Sequence, residues 1–171
     1  MLAGCSSVRT QVNTGVVKAR TFSYVAPPPP HQSAFADNRP DVHKLIQRAI
    51  THDLAAKGLT RTETGGDVTV AYLVIIGNNV TTTSVDDYFG YGRDSSELVD
   101  QVHQQQAVKS ADPNYFEAGT LVLDIVDARS HKLLYRSSVR RQLLRDLSSD
   151  ARAERIQQVV DAALANLRVS S

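Results

Sequence analysis

The sequence predicts an α+β fold, an antiparallel β-sheet of about four to five strands with two amphipathic helices packed on one face as a two-layer sandwich. Three observations predict it. Residues Arg39 to Lys57 and Ile156 to Leu167 each carry apolar side chains at steps of three and four, the spacing of a helix with one buried stripe. Residues Ala118 to Leu144 read as two alternating runs about a short polar turn, a hairpin. The run Val68-Thr69-Val70-Ala71-Tyr72-Leu73-Val74-Ile75-Ile76 is apolar on both faces, which suits a central strand.

At 171 residues the chain has room for one domain and a tail. The division expected is a flexible tether over 1–16 and a single α+β domain over 17–171. Residues Ser6 to Val16 are small and polar without periodicity, hence the tether. Val17 to Val25 alternates and carries β-branched and aromatic residues, a first strand. Pro27-Pro28-Pro29-Pro30 ends it, since proline offers no donor to a ladder. In the first helix Val42, Leu45, Ile46, Ala49, Ile50 and Leu54 form the stripe. Asp37 or Asn38 can cap its start, Pro40 suits the first turn and Gly58 the stop.

Gly65-Gly66-Asp67 turns the chain into the central strand. Gly77 to Glu97 shows no clear element, and loops of that length are usually functional or disordered. A further strand is expected near Leu98 to Val108, broken by Asp112-Pro113-Asn114. In the hairpin Leu121, Leu123 and Ile125 share one face, Ala128-Arg129-Ser130-His131 turns, and Leu133, Tyr135, Ser137 and Val139 return inward. Ser148 or Ser149 caps the last helix, whose stripe is Ile156, Val159, Val160, Ala163, Leu164 and Leu167. With the helices on one side, the other face of the sheet is expected to be wetter.

Hydrophobic residues make up 42% and charged residues 22% of the chain, ordinary for a water-soluble domain. A formal charge of +1 gives no field that would favour nucleic acid, so no nucleic-acid partner is expected. No apolar run approaches the roughly 18–20 residues of a membrane-spanning helix. The lone cysteine, Cys5, excludes an internal disulfide. Leu2-Ala3-Gly4-Cys5 resembles a bacterial lipobox, where small residues admit a signal peptidase and the thiol accepts a diacylglyceryl group. Only four residues precede the cysteine, so the basic start and apolar core of a signal peptide would lie upstream of Met1. Ser6, rather than aspartate, after the cysteine resembles an outer-membrane address. If the gene begins at Met1, the match is chance and the protein is cytosolic.

No nucleophile elbow, phosphate-binding loop or dinucleotide fingerprint occurs. Asp86 and Asp87, beside Tyr88-Phe89-Gly90-Tyr91-Gly92, are the most suggestive loop residues. Two carboxylates can hold a hard cation, yet the spacing is not that of a calcium loop, and a solvated turn explains it as well. Tyr88, Phe89 and Tyr91 can instead form a contact patch, because such rings bury area, and tyrosine keeps a polar tip. His31, His43, His52, His103 and His131 are dispersed, and no metal or cofactor is expected. Asp124 and Asp127 fall on opposite faces of one strand, so Asp124 is assigned to the polar face and Asp127 to capping the turn. Arg136 and Arg140 project from one side of the return strand, to meet an anionic surface or to protect an edge.

The hairpin carries a family resemblance. Phe116-Glu117-Ala118-Gly119-Thr120-Leu121-Val122-Leu123-Asp124-Ile125-Val126-Asp127-Ala128-Arg129, followed by Lys132-Leu133-Leu134-Tyr135-Arg136-Ser137, resembles the signature of the domain-of-unknown-function 4136 family of bacterial lipoproteins. Tyr135 stands where that family often has tryptophan, and Ser137 where it has glycine. The resemblance spans Lys18 to Leu167. It implies an envelope lipoprotein with no established enzymatic role and no catalytic residues to transfer. The expected function is therefore non-catalytic. Acylated Cys5 holds the domain to membrane lipid, facing the periplasm, and the domain docks an envelope protein through Asp86, Asp87, Tyr88, Phe89, Tyr91, Arg136 and Arg140. The alternative is a small hydrolase or metal-dependent enzyme using Asp86 or Asp87.

Overall fold

The computed structural model describes residues 7–25, 40–78, 82–85, 117–142, 144 and 147–171. In chain order they form β1 (Ser7–Asn13), β2 (Val16–Lys18), β3 (Thr21–Tyr24), α1 (Pro40–Ala56), β4 (Thr60–Arg61) and β5 (Val68–Asn78). Then come β6 (Thr82–Val85), β7 (Glu117–Asp127), β8 (Leu133–Gln142), α2 (Ser149–Leu164) and β9 (Arg168–Ser170). The strand expected over Leu98 to Val108, the proline run and the proposed caps Asp37 and Asn38 lie outside the described residues.

The fold is α+β with two helices among the described residues, and the helix and hairpin positions agree with the periodicity. The sheet differs from the antiparallel sheet of four to five strands expected. Six strands run in the order β1-β8-β7-β5-β3-β4, and β6 adds to β5 beside that path. β1, β8, β7, β5 and β6 pair antiparallel, but β3 is parallel to both β4 and β5. The reason is the connection. A helix follows β3 and returns the chain to the end where β3 began, and such a crossover makes the next strand parallel.

Ser7–Asn13 is an edge strand on β8 rather than part of a tether, in register from Ser7↔Arg140 to Asn13↔Tyr135. Edge strands lack the clear alternation of buried and exposed positions that marks an inner strand, which hid this one. The single first strand expected is two. β2 turns off at Ala19-Arg20 and pairs in parallel with β9, forming a separate two-stranded ribbon.

The main core lies between the sheet and the helices. Phe22, Val68, Val70, Tyr72, Leu121, Leu123, Ile125, Tyr135 and Val139 from the sheet meet Ile46, Ala49, Ile50 and Leu54 of α1 and Val160, Ala163 and Leu164 of α2. Val17 of β2 and Leu167 close one end of this layer. Three tyrosines bind the layers together with polar tips. The Tyr24 hydroxyl donates to the Gln47 carbonyl at 2.8 Å, and Tyr72 bonds His43 Nδ1 at 3.1 Å and accepts from Gln47 Nε2 at 3.3 Å. Tyr135, fully buried, donates to the Ala163 carbonyl at 2.7 Å. Burial pushes the Tyr24 phenol up to about 12, against the lesser opposing effects of Thr51 and Arg61.

The other face of the sheet is not the wetter one expected. Ala71, Leu73 and Val122, which alternate with the helix-facing residues, are completely buried, and Thr69, Thr120 and Asp124 nearly so. The two-sided apolar pattern of β5 already implied this, because a strand apolar on both faces needs cover on both.

Two stops are set by glycine. After α1, Gly58 N donates to the Ala55 carbonyl and Leu59 N to the Leu54 carbonyl, with Gly58 at φ +91°. This is the Schellman arrangement, and Leu54 and Leu59 are both buried in the core beside it. At the second stop, Gly66 lies against β3. A Cβ there would sit 2.5 Å from the Phe22 carbonyl carbon and 2.6 Å from Ser23 N. Backbone cannot yield as a flexible side chain does, so β3 would have to move. Gly66→Ala is expected to lower unfolding stability by about 1–3 kcal/mol, the usual cost of overpacking. Urea denaturation measures it; an unchanged midpoint would show that β3 shifts freely.

Candidate functional site

Of the residues singled out in the sequence, Cys5, Asp86, Asp87, Tyr88, Phe89 and Tyr91 lie outside the described residues. Arg136 and Arg140 are described. Both stand on β8 on the sheet face opposite the helices, Arg136 across from Asp124 and Arg140 across from Thr120. The Asp124 carboxylate is 1% exposed and the Arg136 side chain 19%. They meet two-pronged: Nε donates to Oδ1 at 2.7 Å and Nη2 to Oδ2 at 2.6 Å. The planar guanidinium matches the carboxylate geometry, so the bonds are short and directional. Arg136 is thereby turned into the protein. Asp124 lies on the face that was assigned to it, but that face is buried and the carboxylate is matched by charge.

Sequence reasoning noticed both residues without pairing them. Counting outwards from the Ala128–His131 turn sets Asp124 opposite Tyr135; a register shift between Ile125 and Val126 brings Arg136 there instead, and no local pattern announces it. Ser137 is completely buried and its hydroxyl donates to the Arg9 carbonyl at 3.3 Å.

Two further carboxylates act as backbone caps. Asp127 Oδ1 accepts Ser130 N at 2.7 Å, Ser130 Oγ at 2.7 Å and Arg129 N at 3.1 Å, the turn role read from sequence. The Ser130 amide, chiefly, holds its carboxyl below the ordinary range. Asp67, which the sequence reading passed over, does the same between strands. Its Oδ2 accepts Arg20 N at 2.9 Å, Thr21 N at 3.1 Å and Thr21 Oγ1 at 3.1 Å, and the Arg20 amide leads in lowering its pKa. Both oxygens that carry these bonds are already occupied as acceptors.

Titratable groups also meet where the two helices touch. Gln157 Nε2 on α2 donates to Asp53 Oδ1 on α1 and to Asp161 Oδ1, each at 2.7 Å, and His52 Nδ1 lies 3.3 Å from Asp53 Oδ1. Burial raises the Asp53 carboxyl, and the Asp161 charge adds to the rise while His52 opposes it. Among the described residues no three His, Cys, Asp or Glu side chains converge as a metal-binding group. Among them, too, no helix is long and apolar enough to cross a membrane.

The hairpin β7–β8, its capped turn and the layers around it are the parts that carry the resemblance noted in the sequence. A model of the family described as "Domain of unknown function (DUF4136)" matches residues 7–167. The chain belongs to this family. The DUF4136 match begins at the first residue of β1, in keeping with that strand's place in the sheet. No curated protein matches the chain. Among solved structures, the PelC dodecamer from Paraburkholderia phytofirmans shares the fold in two crystal forms. The form with a leucine-to-methionine substitution has TM-score 0.52 and 8% identity, covering 98% of this chain and 100% of that one. The unsubstituted form has TM-score 0.51 at 8% identity and the same coverage. A PDZ domain protein from Parabacteroides distasonis ATCC 8503 has TM-score 0.52 and 13% identity, covering 93% of this chain and 35% of that longer one. At such identities the likeness is one of fold.

Removing one member of the buried pair leaves the other charge stranded. Arg136→Met is therefore expected to cost about 2–4 kcal/mol, while Asp124→Leu with Arg136→Met recovers most of it. Urea denaturation of both variants tests this; a double variant no more stable than the single one would contradict it. For Asp53 the sign runs the other way from a salt-bridged acid. Its raised folded-state pKa makes the ionised form a burden above that pKa, and the burden is lifted as pH falls towards the ordinary 3.8. Asp53→Asn, which keeps an acceptor for Gln157, is expected to raise the thermal midpoint at pH 7, with a gain that shrinks on acidification. A gain independent of pH would point to packing instead.

Proposed function

We propose that this DUF4136 chain is a bacterial envelope lipoprotein that works without catalysis, held by acyl chains on Cys5 and acting by contact with an envelope protein. The observation that carries this reading is the place where β1 begins. Ser7 is the first residue of the sheet, so a single residue separates it from Cys5 of the lipobox-like Leu2-Ala3-Gly4-Cys5. Two residues reach at most about 7 Å. Lipid on Cys5 would thus hold the end of the sheet close against the membrane instead of letting the domain swing on a tether.

Arg140 lies across from Ser7 in the β1–β8 register, beside Arg141, at that same end of the sheet. Anionic headgroups would complement it. Several acyl chains make such an attachment stable, where one alone binds only marginally. The periplasmic side of the outer membrane is the location that Ser6 after the cysteine favours. For the contact role, PelC is a dodecamer, so docking between like domains is one form that contact takes on this fold.

The test is the intact mass of the protein recovered from membranes after expression behind a complete lipoprotein signal peptide. The expected species lacks the first four residues and carries a diacylglyceryl plus acyl increment. Cys5→Ala abolishes the increment and moves the protein to the soluble fraction. An unmodified mass in the soluble fraction for the unaltered chain would sink the reading.

A further inference from the structure

From the topology we infer a second surface, a basic face at the end of the sheet farthest from Cys5 that receives an acidic segment of a partner protein. The fold gathers it from four separate stretches of chain. β1 ends at Asn13, and the chain then crosses beneath the sheet as β2 to reach β3, which lies beyond β8, β7 and β5 in the strand order. β2 buries Val17 and turns Val16 and Lys18 outward. β9 lies in register beside it, Val16↔Arg168 and Lys18↔Ser170. Arg20 follows, and its carbonyl accepts Thr60 N, which places Arg61 of β4 next along the end. The hairpin turn brings Arg129 and Lys132 to the same end, tied in by Ala128 N donating to the Asp67 carbonyl.

Lys18, Arg20, Arg61, Arg129, Lys132 and Arg168 are all exposed, and among the described residues none takes part in a salt bridge, although the Arg61 guanidinium lies 5.0 Å over the Tyr24 ring. Asp67 and Asp127 at this end stay ionised, bonded to amides and hydroxyls, and their charges act on Arg129; with exposed Glu63 near β4 they offset part of the positive charge, and the cations stay in excess. Four of the six cations are arginines, whose planar forks suit carboxylates. Val16 stands 54% exposed among them. Cations around an apolar residue fit a peptide that carries both acidic and apolar side chains.

The choice of protein over lipid rests on the anchored orientation proposed above; the basic surface itself does not. Ser7 and Asn13 mark the two ends of β1, six residues apart, so this face lies about 20 Å from the anchored end and looks away from that membrane.

Fluorescence anisotropy of the full chain with a short fluorescein-labelled peptide of alternating Glu and Val tests the inference. Saturable binding that weakens as NaCl rises is expected, with none for the Gln–Val counterpart. Arg20→Gln with Arg129→Gln and Arg168→Gln should weaken it about tenfold, the combined loss of three exposed charge contacts. Lys44→Gln with Arg48→Gln on α1 should leave it unchanged. The triple variant should melt as the unaltered chain does, since all three side chains are exposed. Failure to bind the Glu–Val peptide, equal binding of the neutral peptide, or indifference to the triple substitution would overturn the proposal. So would co-sedimentation with phosphatidylglycerol vesicles, or self-association, that the triple variant abolishes while peptide binding is absent. Those two outcomes would assign the face to lipid or to a second copy, and neither bears on whether Cys5 is acylated.

Discussion

The ladder between β5 and β7 is the constraint on which the rest of the molecule depends. It runs without a register shift from Val68↔Asp127 to Asn78↔Glu117, the full length of both strands. Because strand side chains alternate, that one register decides which residues face the helices and which face away, and a slip of one residue would exchange the two sets. It also places both ends of the sheet. At one end Asp127 closes the hairpin turn and Asp67 ties β5 to β3. At the other, β6 adds to β5 on the edge that β3 leaves open.

Burying both faces of such a ladder demands that every polar group within it find a partner. Tyr72 and Tyr135 are fully buried and send their hydroxyls out of the sheet layer to the helices, where side-chain and carbonyl groups receive them. Asp124 faces the other way and takes a guanidinium from the adjacent strand. The same requirement is met once with neutral hydroxyls and once with an ion pair.

Much of this was legible before the structure. Helical stripes and the hairpin are local patterns, repeated within a few residues, and the structure places them where the periodicity does. The caps at Ser148 and Gly58 likewise depend on nearest neighbours only. What escaped was long-range. β1 lacks alternation because an edge strand is only partly covered, and β9 is too short to show a period at all. The parallel placement of β3 depends on where a helix returns the chain, which no short window contains. Asp67 looked like a turn residue and is one, but its bonds to Arg20 and Thr21 span more than forty positions. The candidate loop from Asp86 to Tyr91 and the lipobox-like stretch at Cys5 lie outside the described residues, so their reading rests on sequence.

Charge placement shows why composition alone misleads about contact surfaces. A formal charge of +1 over the chain argues against a strong overall field, and that argument is sound for long-range steering. It says nothing about a face a few strands wide, because screening confines each exposed charge to roughly 10 Å. Arg136 drew attention because it belongs to an arginine-rich stretch, yet its neighbour in space is Asp124 and its charge is matched inside the fold. Lys18, Arg20, Arg61, Arg129, Lys132 and Arg168 drew none, being scattered along the chain, and the crossing of β2 beneath the sheet is what assembles them. Asp67 and Asp127 share their end, bonded to amides and hydroxyls, and offset part of the charge through Arg129. An arginine in a cluster along the chain is thus a weaker sign of a contact surface than a cation whose spatial neighbours leave its charge unmatched.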